Sequence, residues 1–146
     1  MKFTINIDEK IQENELIINA SEYDDQIKNI ENFISNLDNE IYGYKDKYTI
    51  KLCLNDIFCF TTEDNHIVAI LEKEKYFVKK RLYTIEETLN DSFLKINQST
   101  IVNVKKIKRF NASFSGTLMV ELENGYKDFV SRRQLKKVKE IIGRGI

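Results

Sequence analysis

Apolar and polar residues alternate with a period of two through the middle of the chain. A period of two, broken by turn residues, predicts short antiparallel strands. The apolar positions of the first run are Tyr48, Ile50, Leu52 and Leu54. The later runs cover residues 57–62, 66–71 and 75–78. We therefore expect a β-meander in this part of the chain.

The strand pattern resumes at Phe93 and includes one strong hairpin signal. Asn124-Gly125 lies between apolar runs at residues 118–123 and 126–130. An Asn-Gly pair tolerates positive φ at both central positions, so it predicts a tight type I′ turn.

Two helices are expected among these strands. Thr84 and Glu87 fit a capping box, which predicts a short helix that ends near Leu89. Ser131 is suited to cap a final helix, and Gly143 is suited to end it. The apolar residues of the final helix are Leu135, Val138, Ile141 and Ile142.

The N-terminal residues predict two short strands, at 2–7 and 16–20, and then a helix. Ser21 and Asp24 fit a capping box for that helix. Its apolar positions recur at helical spacing and are Tyr23, Ile27, Ile30, Ile34 and Leu37. Such a stripe suits contact with its own domain or, alternatively, a dimer seam.

Together these elements predict a mainly β fold of the α+β class. It is a meander of short antiparallel strands with a short mid-chain helix, a C-terminal helix and an N-terminal strand-strand-helix extension. The pattern changes near residues 38–44. We therefore expect an acidic extension at 1–40, for interaction or dimerisation, and a domain at 41–146.

Composition fits a soluble globular chain, with 42% hydrophobic and 32% charged residues. No apolar run approaches the ~20 residues that span a bilayer, and the first residues alternate rather than form the apolar stretch of a signal peptide. Cys53 and Cys59 lie in apolar stretches, so we expect buried thiols in a reducing compartment. The expected location is the cytoplasm.

Charge is distributed unevenly, although the formal net charge is zero. Residues 93–146 carry twelve Lys and Arg against four Asp and Glu, a net of +8. Residues 1–41 carry three against ten, a net of −7. This asymmetry favours a polyanionic partner for the basic end. The alternative is an ordinary solvated charged face.

The sequence gives little support for catalysis. It has one histidine, no glycine-rich phosphate loop and no metal-ligand spacing, so we expect no enzyme, metal or cofactor. Arg132 and Arg133 lie in the first turn of the final helix, where the dipole is positive and an anion would offset their charge. Their guanidinium groups suit hydrogen bonds to a phosphate or to the edge of a guanine base. The alternative is an ion pair with Asp128.

Two other polar positions are candidates. His66 lies at a hairpin tip, where a lone histidine is ordinarily a bystander. Asn97, Gln98 and Ser99 interrupt two apolar runs. Their amide and hydroxyl groups suit hydrogen bonds to base edges, but such groups ordinarily form hydrogen bonds with the backbone of their own turn.

Several spaced motifs resemble the LytTR-type DNA-binding domain. The main one is Phe93-x-x-Ile96-x-x-Ser99-x-Ile101-Val102-Asn103-x-x-x-Ile107. The others are Asp56-Ile57-x-x-Phe60, Leu82-x-x-Ile85-Glu86, Leu122-x-Asn124-Gly125 and Val130-Ser131-Arg132-x-x-Leu135. They span about residues 44 to 142. Members of this family are bacterial transcription regulators with a mostly β fold, and they read duplex DNA through loops.

The resemblance also implies roles for individual residues. The residues expected in the major groove are His66, Gln98 and Arg133. The residues expected at phosphates are Lys105, Lys106 and Arg132. Asn97 belongs to the same DNA-binding loop, which is less basic than in many relatives. Ser99 and Asn103 are expected to satisfy turns.

The resemblance implies a transcription regulator that binds repeated half-sites as two copies. About 40 residues ahead of the domain are too few for a receiver domain of roughly 100 or more. The chain looks like a stand-alone subgroup often accompanied by a small membrane protein, which we expect residues 1–40 to contact. The alternative is an interaction module or anti-regulator without DNA affinity. RNA binding ranks lower, since Phe110 and Phe114 are the only suggestive aromatics.

Overall fold

The structure is a computed structural model and describes residues 1–36, 40–89, 91–112 and 116–143. The helices in these ranges are α1 (Asp25–Asn36), α2 (Leu82–Thr88) and α3 (Arg132–Gly143). The first strands are β1 (Ile41–Lys45), β2 (Tyr48–Leu52), β3 (Cys59–Glu63), β4 (His66–Ile70) and β5 (Lys75–Val78). The later strands are β6 (Phe93–Asn97), β7 (Thr100–Asn103), β8 (Ile107–Ala112), β9 (Leu118–Leu122) and β10 (Lys127–Val130).

The strands form two antiparallel sheets. The larger has seven strands in the order β2-β1-β5-β4-β3-β7-β6, and the smaller has the order β10-β9-β8. Neighbours in the small sheet are consecutive in the chain, as in a meander. The mainly β, α+β class predicted from the sequence is therefore confirmed.

Residues of the large sheet contribute alternately to two cores. Cys59 belongs to the core shared by both sheets and α3, whereas Phe60 belongs to the core on the side of α2. Val68 and Ala69 divide in the same way. Since successive side chains of a strand point to opposite faces, a sheet covered on both faces has near-continuous apolar strands.

A backbone hydrogen bond joins the end of the small sheet to the large sheet. Ser131 N, directly after β10, donates to Ile96 O on β6 at 2.8 Å. This bond holds the start of α3 beside the end of β6. This contact positions the helix terminus next to the β6–β7 turn.

The type I′ geometry predicted for the Asn124-Gly125 turn occurs instead at another hairpin, the one between β3 and β4. Asp64 and Asn65 have φ of 49° and 64°, the geometry of a type I′ turn. At the predicted I′ site only Gly125 has positive φ, at 90°, and Gly125 N donates to Leu122 O at 2.9 Å. That prediction was wrong. The loop is a three-residue turn with a glycine bulge, and Asn124 Oδ1 instead accepts from Tyr126 N at 3.0 Å.

The N-terminal extension differs most from expectation. Residues 2–7 and 16–20 form no strand, because alternating apolar residues make a strand only when a partner strand supplies hydrogen bonds. The cap of α1 is Asp24, whose Oδ1 accepts from Ile27 N at 2.9 Å, rather than Ser21. Ile27 and Ile30 of the apolar stripe are partly buried. Leu37 lies outside the described residues.

Three smaller expectations in the domain were also wrong. Helix α2 begins at Leu82 rather than Thr84 and has no side-chain cap, since Leu82 is buried and its turn is held by the core. Strand β1 had no counterpart in the predicted elements. Cys53 is exposed beside the edge strand β2, whereas Cys59 is buried as expected.

Candidate nucleic-acid interface

His66 begins strand β4 at the end of the large sheet. It pairs with Glu63 across the Asp64-Asn65 turn and is exposed. Its ring meets the Phe77 ring edge-on, with centroids 5.9 Å apart. This contact orients the imidazole and leaves its nitrogens without a hydrogen bond to any described residue.

The β6–β7 turn presents Gln98 to solvent while its neighbours hold the backbone. Asn97 Nδ2 donates to Phe129 O at 2.8 Å and to Asp128 Oδ1 at 3.2 Å, and Asn97 Oδ1 accepts from Ser99 N at 2.8 Å. Ser99 O accepts from Thr62 N at 3.0 Å. Asn97 therefore shapes the turn, and Gln98 is the side chain with free polar groups.

Arg132 and Arg133 open helix α3 and are both exposed. Neither forms an ion pair with any residue that the structure describes. The alternative partner, Asp128, instead accepts hydrogen bonds from Thr100 Oγ1 at 2.7 Å and from the Tyr126 hydroxyl at 2.9 Å. Two cations at the positive end of a helix dipole favour a bound anion.

One groove brings the three loops together. It has a volume of about 580 Å³, and we call it the loop groove. Its lining residues include Thr62, Glu63, Asn97, Ser99, Phe129 and Ser131. These adjoin the hairpin with His66, the turn with Gln98 and the helix start with Arg132. His66, Gln98, Arg132 and Arg133 are not part of the lining itself but lie next to lining residues along the chain or across a strand pair.

Lys105 and Lys106 do not lie at this groove. They belong to the 3₁₀ turn that follows β7, whereas Gln98 precedes β7, so the length of that strand separates them. Lys106 Nζ lies 5.0 Å from the centroid of the Phe58 ring. It lines a second groove together with Asp56, Glu72, Glu74 and Glu123. The acidic surroundings distinguish this lysine from the arginines of α3.

A basic run that was not singled out from the sequence lies near His66. The last residue pair between β4 and β5 is Ile67 with Val78, so the chain leaves β5 at the end where His66 begins β4. The run that follows is Lys79, Lys80 and Arg81. Lys79 Nζ lies 4.2 Å from the Tyr44 ring centroid, and Lys80 Nζ donates to Glu40 O at 3.5 Å. Three consecutive cations are visible in the sequence, but no sequence pattern predicts that they lie near His66.

The lining of the loop groove also includes a cluster of hydroxyl groups around Asp128. Thr61 Oγ1 and Thr100 Oγ1 are 2.8 Å apart, and the Tyr126 hydroxyl lies 3.2 Å from Thr61 Oγ1. Burial raises the pKa of Tyr126 to about 12, and the Asp128 carboxylate adds to the shift by accepting the phenol proton. Tyr126 is therefore a neutral donor at physiological pH.

The described ranges lack both a metal-binding cluster and a membrane-spanning helix. They contain no group of three or more His, Cys, Asp or Glu side chains that could hold a metal ion. They also contain no helix of the length and apolar character needed to cross a bilayer.

Comparison with known proteins places the chain in a family. The LytTr DNA-binding domain matches residues 47–143. An uncharacterized HTH-type transcriptional regulator of Staphylococcus aureus strain MSSA476 is 30% identical over 142 residues, which cover 96% of this chain and 97% of that protein. The counterpart from strain MRSA252 has the same identity and coverage.

A solved structure agrees with this assignment at the level of the fold. A LytTr DNA-binding domain from Bacillus cereus superposes with a TM-score of 0.66 at 22% identity, covering 71% of this chain and 96% of that one. The strand-rich fold and the sequence match agree. The chain therefore belongs to the LytTR family and is a DNA-binding transcription regulator.

Proposed function

We propose that this regulator recognises specific duplex sequences in the cytoplasm through loops, not through a helix laid in the groove. The base contacts come from His66, Gln98 and Arg133. Arg132 contacts phosphate beside them. The observation that supports this proposal is that these four side chains are exposed close to residues that line the loop groove, without hydrogen bonds or ion pairs to described residues.

The setting of α3 supports recognition by its N-terminal end. Val138 is fully buried, and Leu135 and Ile141 pack against the same core, so the apolar side of α3 is occupied. A helix held in this way offers a ligand its free backbone N–H groups and the side chains of its first turn.

Cations outside the loop groove extend the proposed contact to the DNA backbone. Lys79 and Arg81 are exposed at the end of the sheet that carries His66. Lys105 and Lys106 contact phosphates further along the duplex. Such contacts add affinity without sequence preference, because every base pair carries the same phosphates.

The direct test is a fluorescence-anisotropy titration of the purified protein with a duplex from its own promoter region and with a scrambled duplex. We expect tighter binding to the first, and Gln98→Ala should reduce the difference. Lys47→Ala is the control, because Lys47 is exposed at the opposite end of β1 from this surface. Equal binding to both duplexes would favour the alternative of an interaction module without sequence-specific DNA affinity.

We also propose that residues 1–40 form an interaction extension and that the DNA-binding domain is 41–146. The segment carries large apolar side chains that are mostly exposed to solvent, with Phe3 83% and Ile7 89% exposed. Its charge is −7 up to residue 41. A scattered exposed apolar residue is ordinary, but an alternating row of them favours a partner surface.

Two occupants suit this extension: a second copy of the chain, bound to repeated half-sites, and a small membrane protein. Light scattering of the parent and of a Phe3→Ser, Ile5→Ser, Ile7→Ser variant tests the first. A monomeric variant with a dimeric parent supports self-association. Recovery of one membrane protein by the parent alone, with both chains monomeric, supports the second. Identical behaviour of both chains in both assays would remove the extension from either role.

A further inference from the structure

Asp128 lies at the centre of a hydrogen-bond network that connects the two sheets and lines the loop groove. Its Oδ1 accepts from Asn97 Nδ2 at 3.2 Å and from Phe129 N at 2.8 Å. Its Oδ2 accepts from Thr100 Oγ1 at 2.7 Å and from the Tyr126 hydroxyl at 2.9 Å. Four donors converge on one carboxylate, and hydrogen bonds to a charged acceptor are stronger than neutral ones.

One arrangement of the Thr100 and Tyr126 hydroxyl protons satisfies the carboxylate and leaves two choices for the proton of Thr61. Thr100 and Tyr126 each have a single hydroxyl proton, and both protons go to Asp128 Oδ2. Thr61 then donates its proton to Thr100 Oγ1 at 2.8 Å or to the Tyr126 oxygen at 3.2 Å. All three hydroxyl groups are satisfied, and the carboxylate needs no proton of its own.

The members of the network come from each structure that borders the loop groove. Thr61 lies on β3, which leads into the hairpin with His66, and Thr100 begins β7 directly after the turn with Gln98. Asp128 lies on β10, three residues before Ser131, which directly precedes α3. The large and small sheets share no strand ladder, so side-chain bonds of this kind influence their relative position.

We propose that Asp128 is a positioning residue for DNA recognition: it fixes the spacing between Gln98 on the β6–β7 turn and Arg132-Arg133 at the start of α3. The inference rests on the proposed function of those three side chains. A carboxylate near a phosphate backbone opposes DNA binding in general, since like charges repel. Its contribution is therefore to selectivity, through geometry, at the expense of non-specific affinity.

The variant Asp128→Asn separates these two effects. It keeps the size of the side chain but replaces one accepting oxygen with a donor, so Thr100 and Tyr126 lose an acceptor. Affinity for scrambled duplex should hold or rise, affinity for the cognate duplex should fall, and their ratio should fall at least tenfold. Asp64→Asn is the matched control, because it removes an acidic charge beside His66 and lies outside the network. In Asp64→Asn, the ratio of affinity for cognate duplex to affinity for scrambled duplex should match that of the parent.

Tyr126→Phe tests the same network without a change of charge. It removes one donor to Asp128 and one contact with Thr61, and thermal unfolding verifies that the domain remains folded. The cognate-to-scrambled ratio should fall while affinity for scrambled duplex stays at the parent value. If folded Asp128→Asn and Tyr126→Phe both keep the parent ratio, Asp128 does not position the reading loops.

A distance measurement tests the positioning role without DNA. Spin labels at Gln98→Cys and Arg133→Cys, in a Cys53→Ser background, report the separation of the two loops by pulsed electron spin resonance. Asp128→Asn should broaden or shift the distance distribution, and Asp64→Asn should not. An unchanged distribution in Asp128→Asn overturns this inference. If the distribution changes in Asp128→Asn but the parent fails to discriminate between duplexes, the positioning role is supported and only the proposed reading function is refuted.

Discussion

Asn97 Nδ2 lies 2.8 Å from the main-chain oxygen of Phe129, so one hydrogen bond joins the β6–β7 turn to strand β10. The two residues are 32 positions apart in the chain. Asn97, which we expected among the DNA-binding residues, uses its donors and its acceptor for hydrogen bonds within the domain. We therefore expect its contribution to DNA binding to be indirect. It holds the backbone of the turn in which Gln98 is exposed.

Arg133→Ala should lower selectivity and leave the fold intact. A lost bidentate contact between arginine and guanine costs about 1–3 kcal/mol at one base position. Removing a cation from the positive end of α3 should stabilise the helix by a few tenths of a kcal/mol at most. Competition between cognate and scrambled duplex measures the first effect, and thermal unfolding measures the second.

Lys139→Ala is the control for Arg133, because Lys139 is exposed on the same helix and distant from its first turn. It should keep the parent selectivity. If Arg133→Ala instead binds its site as selectively as the parent and melts several degrees lower, the arginine has a structural role.

Lys105→Ala and Lys106→Ala should weaken binding to all duplexes about equally. Each phosphate contact contributes about −0.9 to the slope of log K against log salt concentration, so each variant should flatten that slope by roughly one. Anisotropy titrations at four salt concentrations give the slope, with Lys47→Ala as the control. A parent-like slope in both variants would remove this end of β7 from the interface.

The two cysteines should differ in reactivity. Cys53 is exposed, whereas Cys59 is buried, and burial raises the pKa of the Cys59 thiol. The thiolate is the form of cysteine that attacks a maleimide, so a raised pKa and burial both slow the reaction. A maleimide should label one cysteine rapidly in the native protein and the second only on unfolding.

Cys53→Ser provides the check on this assignment. The native variant should show no rapid labelling. Rapid reaction of two thiols in the parent would contradict the burial of Cys59.

Tyr126 should make the fold sensitive to alkaline pH. Its pKa is about 12 in the folded protein, above the ordinary tyrosine value of 10.0, with burial as the main cause. The folded state therefore keeps a proton that the unfolded state loses, and stability is present below pH 10 and falls between pH 10 and 12. Urea unfolding at pH 8, 10 and 11 measures this decline.

Tyr126→Phe cannot ionise at this position, so its free energy of unfolding should decline less steeply over the same pH range. Lysines titrate in that range too, which is why the comparison is between the two proteins. Parallel curves would show that Tyr126 does not contribute to the pH dependence.

Asn103→Ala should destabilise the domain by about 1–3 kcal/mol, the cost of leaving a buried polar group unpaired. Asn103 is 2% exposed, and its Nδ2 donates to Ile57 O at 2.9 Å while its Oδ1 accepts from Lys105 N at 3.1 Å. Its predicted role in satisfying a turn is confirmed. Asn55→Ala, at an exposed position, should be nearly neutral in urea unfolding, and an equal loss in both variants would contradict this argument.

The local pattern of the sequence determined most strands, because burial on alternate positions is a property of neighbouring residues. The hairpin from β3 to β4 is an example: apolar residues on both faces and turn residues at Asp64-Asn65 are read directly from the chain. Strand β1 is the counterexample. Gly43 lies in its centre, where a Cβ atom would approach Tyr76 Cβ to 2.6 Å. Only the contact with a residue 33 positions later explains that glycine.

Tertiary structure also decided which strands and helices are covered. Tyr48 and Ile50 alternate correctly but are 51% and 38% exposed, because β2 is the edge of its sheet. Residues 2–7 have a strand pattern without a partner strand. A pattern states which face of an element is apolar, whereas coverage depends on what the rest of the chain places against it.

The candidate site follows the same division. The sequence and its family resemblance named His66, Gln98 and Arg133, but their position around one groove depends on the approach of two separate sheets. Asp128 looked like an ion-pair partner for the arginines and is instead bonded to Thr100, 28 residues away in the chain. Residue types and local turns are written in the sequence. The distances between the loops depend on contacts between distant segments, because packing and hydrogen bonds between the two sheets fix their relative position.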